Sequence, residues 1–229
     1  MFDFYGTVVD MQSGLTRVMR AFLDGKAYTV NPPDRVVTWW RRTHFENSMI
    51  DALLHRQHTP YREIGRQAVH ATLDRAGIDH TDDEVRWLVA QIERLEPFPD
   101  VVEALGRLQA AGLRLVILSN GDPDMLASGV PYAGVDHLFD DVISVAEAGA
   151  FKPHVATYRL AAERVSAQPT EVLFVANHAF DCVGAKAFGM RTAFIDRRRR
   201  PFGNTTYPPD LVVKDFSELA DTLTRQNVT

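Results

Sequence analysis

Cysteine is nearly absent: Cys182 is the one cysteine in the chain. A single cysteine excludes an intramolecular disulfide and suits a reducing compartment, so a cytoplasmic protein is the expectation. Long apolar runs are missing as well. No stretch approaches the roughly 18 consecutive apolar residues of a membrane span, and no membrane partner is expected. The first residues lack a basic lead-in and carry Asp3 and Asp10 instead, which does not read as a signal peptide. Positive charge is in deficit, with 25 Lys and Arg against 30 Asp and Glu for a formal net charge of −5. That balance argues against nucleic-acid binding, because phosphate contacts need a basic face. The one basic run, Arg197-Arg198-Arg199-Arg200, is short and isolated and reads as a solvated loop after a strand. The histidines other than His44 and His178 show no metal-ligand spacing such as HExxH. There is no internal repeat and no low-complexity tract.

What is present is an ordinary globular balance. The 229 residues are 45% hydrophobic and 24% charged, enough for one sizeable core or for a core with a smaller appended domain. From Val101 onward strand and helix patterns alternate. DVVEALGRLQAAG (100–112) and ATYRLAAERV (156–165) carry helical periodicity, as do DCVGAKAFG (181–189) and FSELADTLTRQ (216–226). LRLVILSN (113–120), DDVISV (140–145), EVLFVAN (171–177) and RTAFID (191–196) are short, nearly continuous apolar runs, with DLVV (210–213) as a last short strand. Strands separated by helices of this length imply βαβ units and a parallel sheet.

The stretch from Gly14 to Leu95 differs. LTRVMRAFLD (15–24), DRVVTWWRRTHFENSMIDALLH (34–55), REIGRQAVHATLDRAG (62–77) and DDEVRWLVAQIERLE (82–96) are all helical in period, and no strand stands out. Thr81 with Glu84 is a capping-box pair, and PPD at 32–34 and PFPD at 97–100 supply breaks. The expected organisation is α/β: a Rossmann-like parallel sheet core from residues 1–13 and 97–229, with a helical cap of residues 14–96 inserted after the first strand. Chemistry in an open α/β sheet sits at the carboxyl ends of the strands. Those ends carry Asp3 and its followers, Ser119-Asn120, and Asn177 through Asp181. The inserted helices would lie over that edge as a lid. Only Met1 and Phe2 precede Asp3, where a central strand has several more residues. Either the first strand is shortened or its beginning is missing, at an expected cost in stability.

Four motifs at successive strand ends resemble one family. DFYGT at 3–7, LSNG at 118–121, FKP at 151–153 with Tyr158, and AFD at 179–181 followed by GAKAFG resemble the haloacid dehalogenase superfamily, and more narrowly its hydrolytic L-2-haloacid dehalogenase branch. WRR at 40–42 in the insert is similar to that branch too. Any one motif is weak; the ordered set spans nearly the whole chain. The resemblance implies that Asp3 displaces halide from a short 2-haloacid to form an aspartyl ester, that water then releases a 2-hydroxyacid, and that no metal or organic cofactor is needed. It implies that Ser119 and Asn120 contact the substrate carboxylate or the ester. Tyr158 would reach in from the following helix, and Arg41 would receive the halide or the carboxylate. Phe180, in a place where such enzymes often carry Trp, would line an apolar wall, and Phe45 and Ile64 would line the pocket. A homodimer through the cap helices rests on the same analogy.

The residues have readings of their own. A carboxylate such as Asp3 can attack carbon or phosphorus to give an ester that water later cleaves; it can equally be a turn or helix cap. Gly6 and Thr7 favour the nucleophile, since a glycine turn exposes N–H groups and Thr7 offers a hydroxyl. Phosphatases of the superfamily carry a second Asp two residues after the nucleophile; here Tyr5 stands there. The first acid of their fourth motif is replaced by Asn177, leaving Asp181. Mg2+ favours carboxylates and waters, so these substitutions move the chemistry from phosphorus towards carbon. Lys152 is either a surface lysine or an ammonium that keeps Asp3 ionised, with Asp181 balancing it or positioning the hydrolytic water. Trp39, Trp40, Phe45 and Ile64, at helical spacing, read as lid core before pocket. His178 stands where the branch usually has Asn, and Ala176 where it has Ser. The imidazole is a proton donor or acceptor near neutral pH, or a structural ring. Three other readings stay open: a C–N hydrolase opening the strained ring of azetidine-2-carboxylate, a Mg2+-dependent phosphatase, and a non-catalytic binder on the same fold.

Overall fold

The runs VILS and LFVA are apolar on both faces, and both become buried parallel strands. A computed structural model of the chain describes residues 1–54 and 57–225. Its strands are β1 (Val116–Ser119), β2 (Asp141–Ser144), β3 (Leu173–Ala176), β4 (Arg191–Ile195) and β5 (Leu211–Val213). β1 pairs with β2, Val116 opposite Asp141; β3 pairs with β4, Leu173 opposite Arg191; β4 pairs with β5, Ala193 opposite Leu211. Every pairing is parallel. The N-terminal residues join the two groups. Phe2 bridges Ile117 on one side and Val175 on the other. Its N–H donates to Val116 O at 2.8 Å and its C=O accepts from Leu118 N at 2.9 Å, while Asp3 N donates to Val175 O at 3.0 Å. The first strand is short, as its sequence suggests, yet it is central, and its Phe2 ring stacks on Phe216 and meets Phe139 edge-on.

The helices are α1 (Met11–Gly25), α2 (Pro33–Leu53), α3 (Tyr61–Ala76), α4 (Asp82–Ala90), α5 (Val101–Ala110), α6 (Pro123–Tyr132), α7 (Val155–Val165), α8 (Ala179–Phe188) and α9 (Phe216–Arg225). In the core, α5 packs on α9, and α8 packs on α7, β3 and β4. α1 packs on α2, α2 on α3 and α3 on α4, each burying the apolar stripe visible in its sequence. The Thr81–Glu84 capping box forms, with Glu84 N donating to Thr81 Oγ1 at 3.2 Å and Thr81 N to Glu84 Oε2 at 2.8 Å. Trp40 is fully buried, and Trp39 lies under the Arg75 guanidinium at 4.3 Å, so both are cap packing. The expected ends of two helices, at His55 and Gln226, lie outside the described residues. No described helix is long and apolar enough to cross a membrane.

Two elements differ from expectation. The boundary placed between residues 13 and 14 falls inside α1, which runs unbroken from Met11 because the Asp10 carboxylate caps it, accepting from Ser13 N at 3.0 Å. The helix α6 is unanticipated. Its sequence PDMLASGVPY holds two prolines and a glycine, which mask the periodicity. Pro123 sits in the first turn, where no N–H is required, and Pro131 near the end.

Candidate active site

The carboxyl ends of the central strands place Asp3 and Lys152 against each other. The Lys152 ammonium has three N–H donors and three acceptors: Asp3 Oδ1 at 2.8 Å, Asp181 Oδ2 at 2.6 Å and the Leu118 carbonyl at 2.9 Å. Thr7 donates its hydroxyl to the other Asp3 oxygen, Oδ2, at 2.6 Å and accepts from Asn177 N at 3.0 Å. The Asn177 side-chain amide donates to Gly6 O at 3.0 Å, tying the turn after the first strand to the end of β3. Tyr158 donates to Asp181 Oδ1 at 2.7 Å. Both oxygens of Asp181 are therefore taken, and the residue is buried.

These bonds set the charges. Burial alone would raise the pKa of Asp3. The Lys152 ammonium and then His178 outweigh it, and hold the carboxyl well below the usual range, so Asp3 is ionised. Burial lowers the pKa of Lys152, but Asp181 and Asp3 reverse that and leave it above its ordinary value. Asp181 moves upward, by burial first and by the neighbouring Asp3 charge, against the pull of Lys152. The result is an anionic oxygen pair at Asp3, oriented from behind by a fixed cation.

The cap closes a cavity of about 760 Å3 over Asp3. Asn120, Lys152, Asn177 and His178 line it from the core; Gln12, Arg41, His44, Phe45 and Tyr61 line it from the helices. Arg41 is fixed by donating Nη1–H to Gln12 Oε1 at 2.9 Å. Burial, and then Arg198, push its pKa down to about 10, which leaves it cationic near neutral pH. Phe45 packs on Phe180 with ring centres 4.3 Å apart, forming an apolar wall. Tyr5 stacks on Tyr61 at 5.8 Å, and Tyr61 on His44 at 4.0 Å. Burial pushes His44 down to about 3, so that ring is neutral. Gly6 has a φ of +85°, and a Cβ there would come within 2.8 Å of His178 Cε1 and 3.1 Å of Arg41 Nη2. Only a glycine lets both side chains close over this turn.

The structure thus brings Asp3, Tyr5, Arg41, Phe45, Asn120, Lys152, Asn177, His178 and Phe180 to one cavity, with Thr7 directly behind Asp3. Four expected residues are placed differently. Ser119 is fully buried and off the cavity wall, its hydroxyl accepting from Gly121 N at 3.2 Å. Asn120, the next residue, does line the cavity, and its Oδ1 accepts from Lys152 N at 3.0 Å. Ile64 is buried in the apolar core of the cap and does not line the cavity. Tyr158 and Asp181 sit behind Lys152 and reach no substrate space. The arginine run is also more than a solvated loop. Arg197 pairs with Asp100 at 2.8 Å and covers the Phe98 ring at 3.9 Å, and Arg197, Arg198 and Arg200 line the cavity. Gln12 and Tyr61 were not legible as site residues, because neither stands at a strand end nor in a motif.

A divalent ion, held by carboxylates in phosphatases of this fold, does not fit these residues. Asp3 Oδ1 and Asp181 Oδ2 both accept from the same ammonium, the Asn177 amide is turned to Gly6 O, and no group of three His, Cys, Asp or Glu side chains suited to a metal exists among the described residues.

Known proteins resemble this chain in sequence and fold. A family model described as haloacid dehalogenase-like hydrolase matches residues 1–189. The chain is 36% identical over 197 residues to the (S)-2-haloacid dehalogenase of Xanthobacter autotrophicus, covering 86% of this chain and 74% of that protein. It is 32% identical to haloacetate dehalogenase H-2 of Moraxella sp. (strain B), covering 93% and 91% of the two chains. The solved structure of L-2-haloacid dehalogenase from Xanthobacter autotrophicus with chloropropionic acid covalently bound superposes with a TM-score of 0.84 at 32% identity, covering 97% and 96%.

Proposed function

The chain belongs to the haloacid dehalogenase-like hydrolases, and from that membership we propose that it hydrolyses short 2-haloacids to 2-hydroxyacids through an ester on Asp3. The carrying observation is an ionised carboxylate on the cavity wall, held from behind by Lys152 and Thr7. In the first step an Asp3 oxygen attacks the α-carbon opposite the halogen. The C–O bond forms as the carbon–halogen bond breaks, with inversion. Halide needs no proton, so the site needs a cation rather than an acid at that point, and Arg41 supplies it. Phe45 and Phe180 enclose the carbon chain. In the second step water attacks the Asp3 carboxyl carbon and expels the 2-hydroxyacid, so the product oxygen comes from Asp3. Lys152 stabilises the carboxyl oxygen as charge builds on it. Asp181, enclosed by Lys152 and Tyr158, keeps that ammonium in place.

Site roles, the cap boundaries near residues 14–96, a cytoplasmic location and a homodimer through the cap helices are parts of this reading. The lone, buried Cys182 supports the location. Ile50 and Leu53, exposed near the end of α2, support the contact between copies.

The test is halide release from chloro-, bromo- and fluoro-substituted 2-haloacids, with the intact protein weighed after rapid quenching. Wild type gains the mass of the acid minus hydrogen halide, Asp3→Asn gains nothing, and one turnover in heavy-oxygen water labels Asp3. Folded protein that releases no halide from any of them refutes the reading. Azetidine-2-carboxylate belongs in the same panel, because a nitrogen leaving group needs a proton donor and the imidazole of His178 lines the cavity.

A further inference from the structure

We propose that Arg198 and Arg200 form a second anion subsite on the cavity wall, and that the preferred substrate is a 2-halo dicarboxylic acid whose far carboxylate rests there. This depends on the ester chemistry proposed above and names the substrate class that chemistry serves. A cavity of about 760 Å3 is of the size that encloses a drug-sized ligand, more than a three-carbon acid fills. The run Arg197-Arg198-Arg199-Arg200 follows β4, and Arg197, Arg198 and Arg200 line that space. The first of them is already committed: Arg197 pairs with Asp100 at 2.8 Å and covers the rings of Phe98 and Phe216. Arg198 and Arg200 are exposed and make no ion pair among the described residues. Other partly exposed arginines, such as Arg62, Arg107 and Arg164, each meet a carboxylate.

The cap contributes a further cation to the same wall. Arg41 is held by Gln12, a neutral partner, at 2.9 Å, and burial first, then the charge of Arg198, lowers its pKa. Guanidiniums that share a wall without a carboxylate between them repel, and an anion beside them relieves that repulsion. The acids on the wall are engaged elsewhere. Asp3 is held by Lys152 and Thr7, Asp10 caps α1 through Ser13 N at 3.0 Å, and Asp34 stands in the first turn of α2, where the helix dipole favours a negative charge. A substrate with one carboxylate and one halogen, placed at Asp3 and Arg41, leaves Arg198 and Arg200 unpaired. A second carboxylate matches their planar forks, while Phe45 and Phe180 enclose the methylene groups between the two ends. A neutral or cationic tail forfeits that pairing, and specificity follows from the difference. The chemistry at Asp3 is unchanged: the C–O bond forms as the carbon–halogen bond breaks, and the far carboxylate keeps its charge throughout.

The experiment measures kcat/KM for halide release, above an enzyme-free blank, from 2-chloropropionate, 2-chloroglutarate, 2-chloroadipate, the far-end methyl esters of the two diacids, and 6-amino-2-chlorohexanoate. In wild type one of the diacids exceeds its own methyl ester about 10-fold, the equivalent of about 1.4 kcal/mol, which lies between an exposed ion pair and a hydrogen bond to a charge. The double variant Arg198→Gln, Arg200→Gln brings that ratio close to one. The charge-reversed variant Arg198→Glu gains on 6-amino-2-chlorohexanoate relative to 2-chloroadipate, a switch that a merely structural arginine would not produce. The comparison of diacid with ester in wild type needs no variant to fold. A ratio near one in wild type, a ratio that survives the double substitution, or no gain on the ammonium acid after charge reversal overturns the subsite alone, with 2-chloropropionate still turned over. Folded wild type that releases halide from none of these acids overturns the ester chemistry itself.

Discussion

Replacing Lys152 with methionine removes the ammonium that bonds both buried carboxylates. The side chains of Asp3 and Asp181 are only 8% and 1% exposed. Methionine nearly conserves volume, so the cost is electrostatic rather than a cavity. Leaving a buried charge without its partner costs about 3–5 kcal/mol. Thr7, His178 and Tyr158 still hydrogen-bond the two acids, which favours the lower end. At about 2–4 °C per kcal/mol for a chain of this size, melting falls by roughly 6–20 °C. The pH dependence should change sign. In wild type the folded pKa of Asp3 lies below its unfolded value, so its contribution is present above the ordinary aspartate pKa of about 3.9 and is lost on acidification. Asp181, raised in the folded state, works in the opposite sense. Without Lys152 burial raises both acids. A carboxyl raised in the folded state destabilises increasingly as pH climbs from its unfolded to its folded value, so the variant gains stability in acid. Thermal melts of both proteins over a pH series test this. A melting point within about 2 °C of wild type, the equivalent of less than about 1 kcal/mol, or a wild-type pH slope in the variant, refutes the reasoning.

Two further substitutions probe the frame of the site. Gly6→Ala puts a Cβ into a left-handed turn and against His178; about 1–2 kcal/mol of stability is lost to the backbone alone, and the displaced ring and Arg41 cost halide release about 10²-fold, read by melting and by a halide assay. Asp122→Ala removes a cap supplied in trans: its carboxylate accepts from Tyr61 N at 2.7 Å and Arg62 N at 2.9 Å, at the start of α3. The expected loss is about 0.5–2 kcal/mol, with faster hydrogen exchange in the first turn of α3 and little change in α5.

Much of this molecule can be read along the chain, because burial on both strand faces and on one helix stripe leaves a local imprint. VILS, DVIS, LFVA and RTAFI announce their strands, and Thr81 with Glu84 announces the start of α4. Where a strand ends in a parallel sheet is also local, so the chain alone places Asp3, Asn120, Asn177 and His178 at one edge. Tertiary structure decided which neighbours face the cavity and which turn away. Ser119 and Asn120 are adjacent, yet the first is fully buried off the cavity wall and the second lines it. Asp181 is enclosed because Tyr158 and Lys152 arrive from either side. Gln12, Tyr61 and the Arg197–Arg200 loop join the wall from segments far apart in sequence, and long side chains carry no periodicity that says where they will reach. The alternation of apolar and polar residues specifies a surface; the meeting of the carboxylate with its lysine, its histidine and the arginines depends on how the surfaces close on one another.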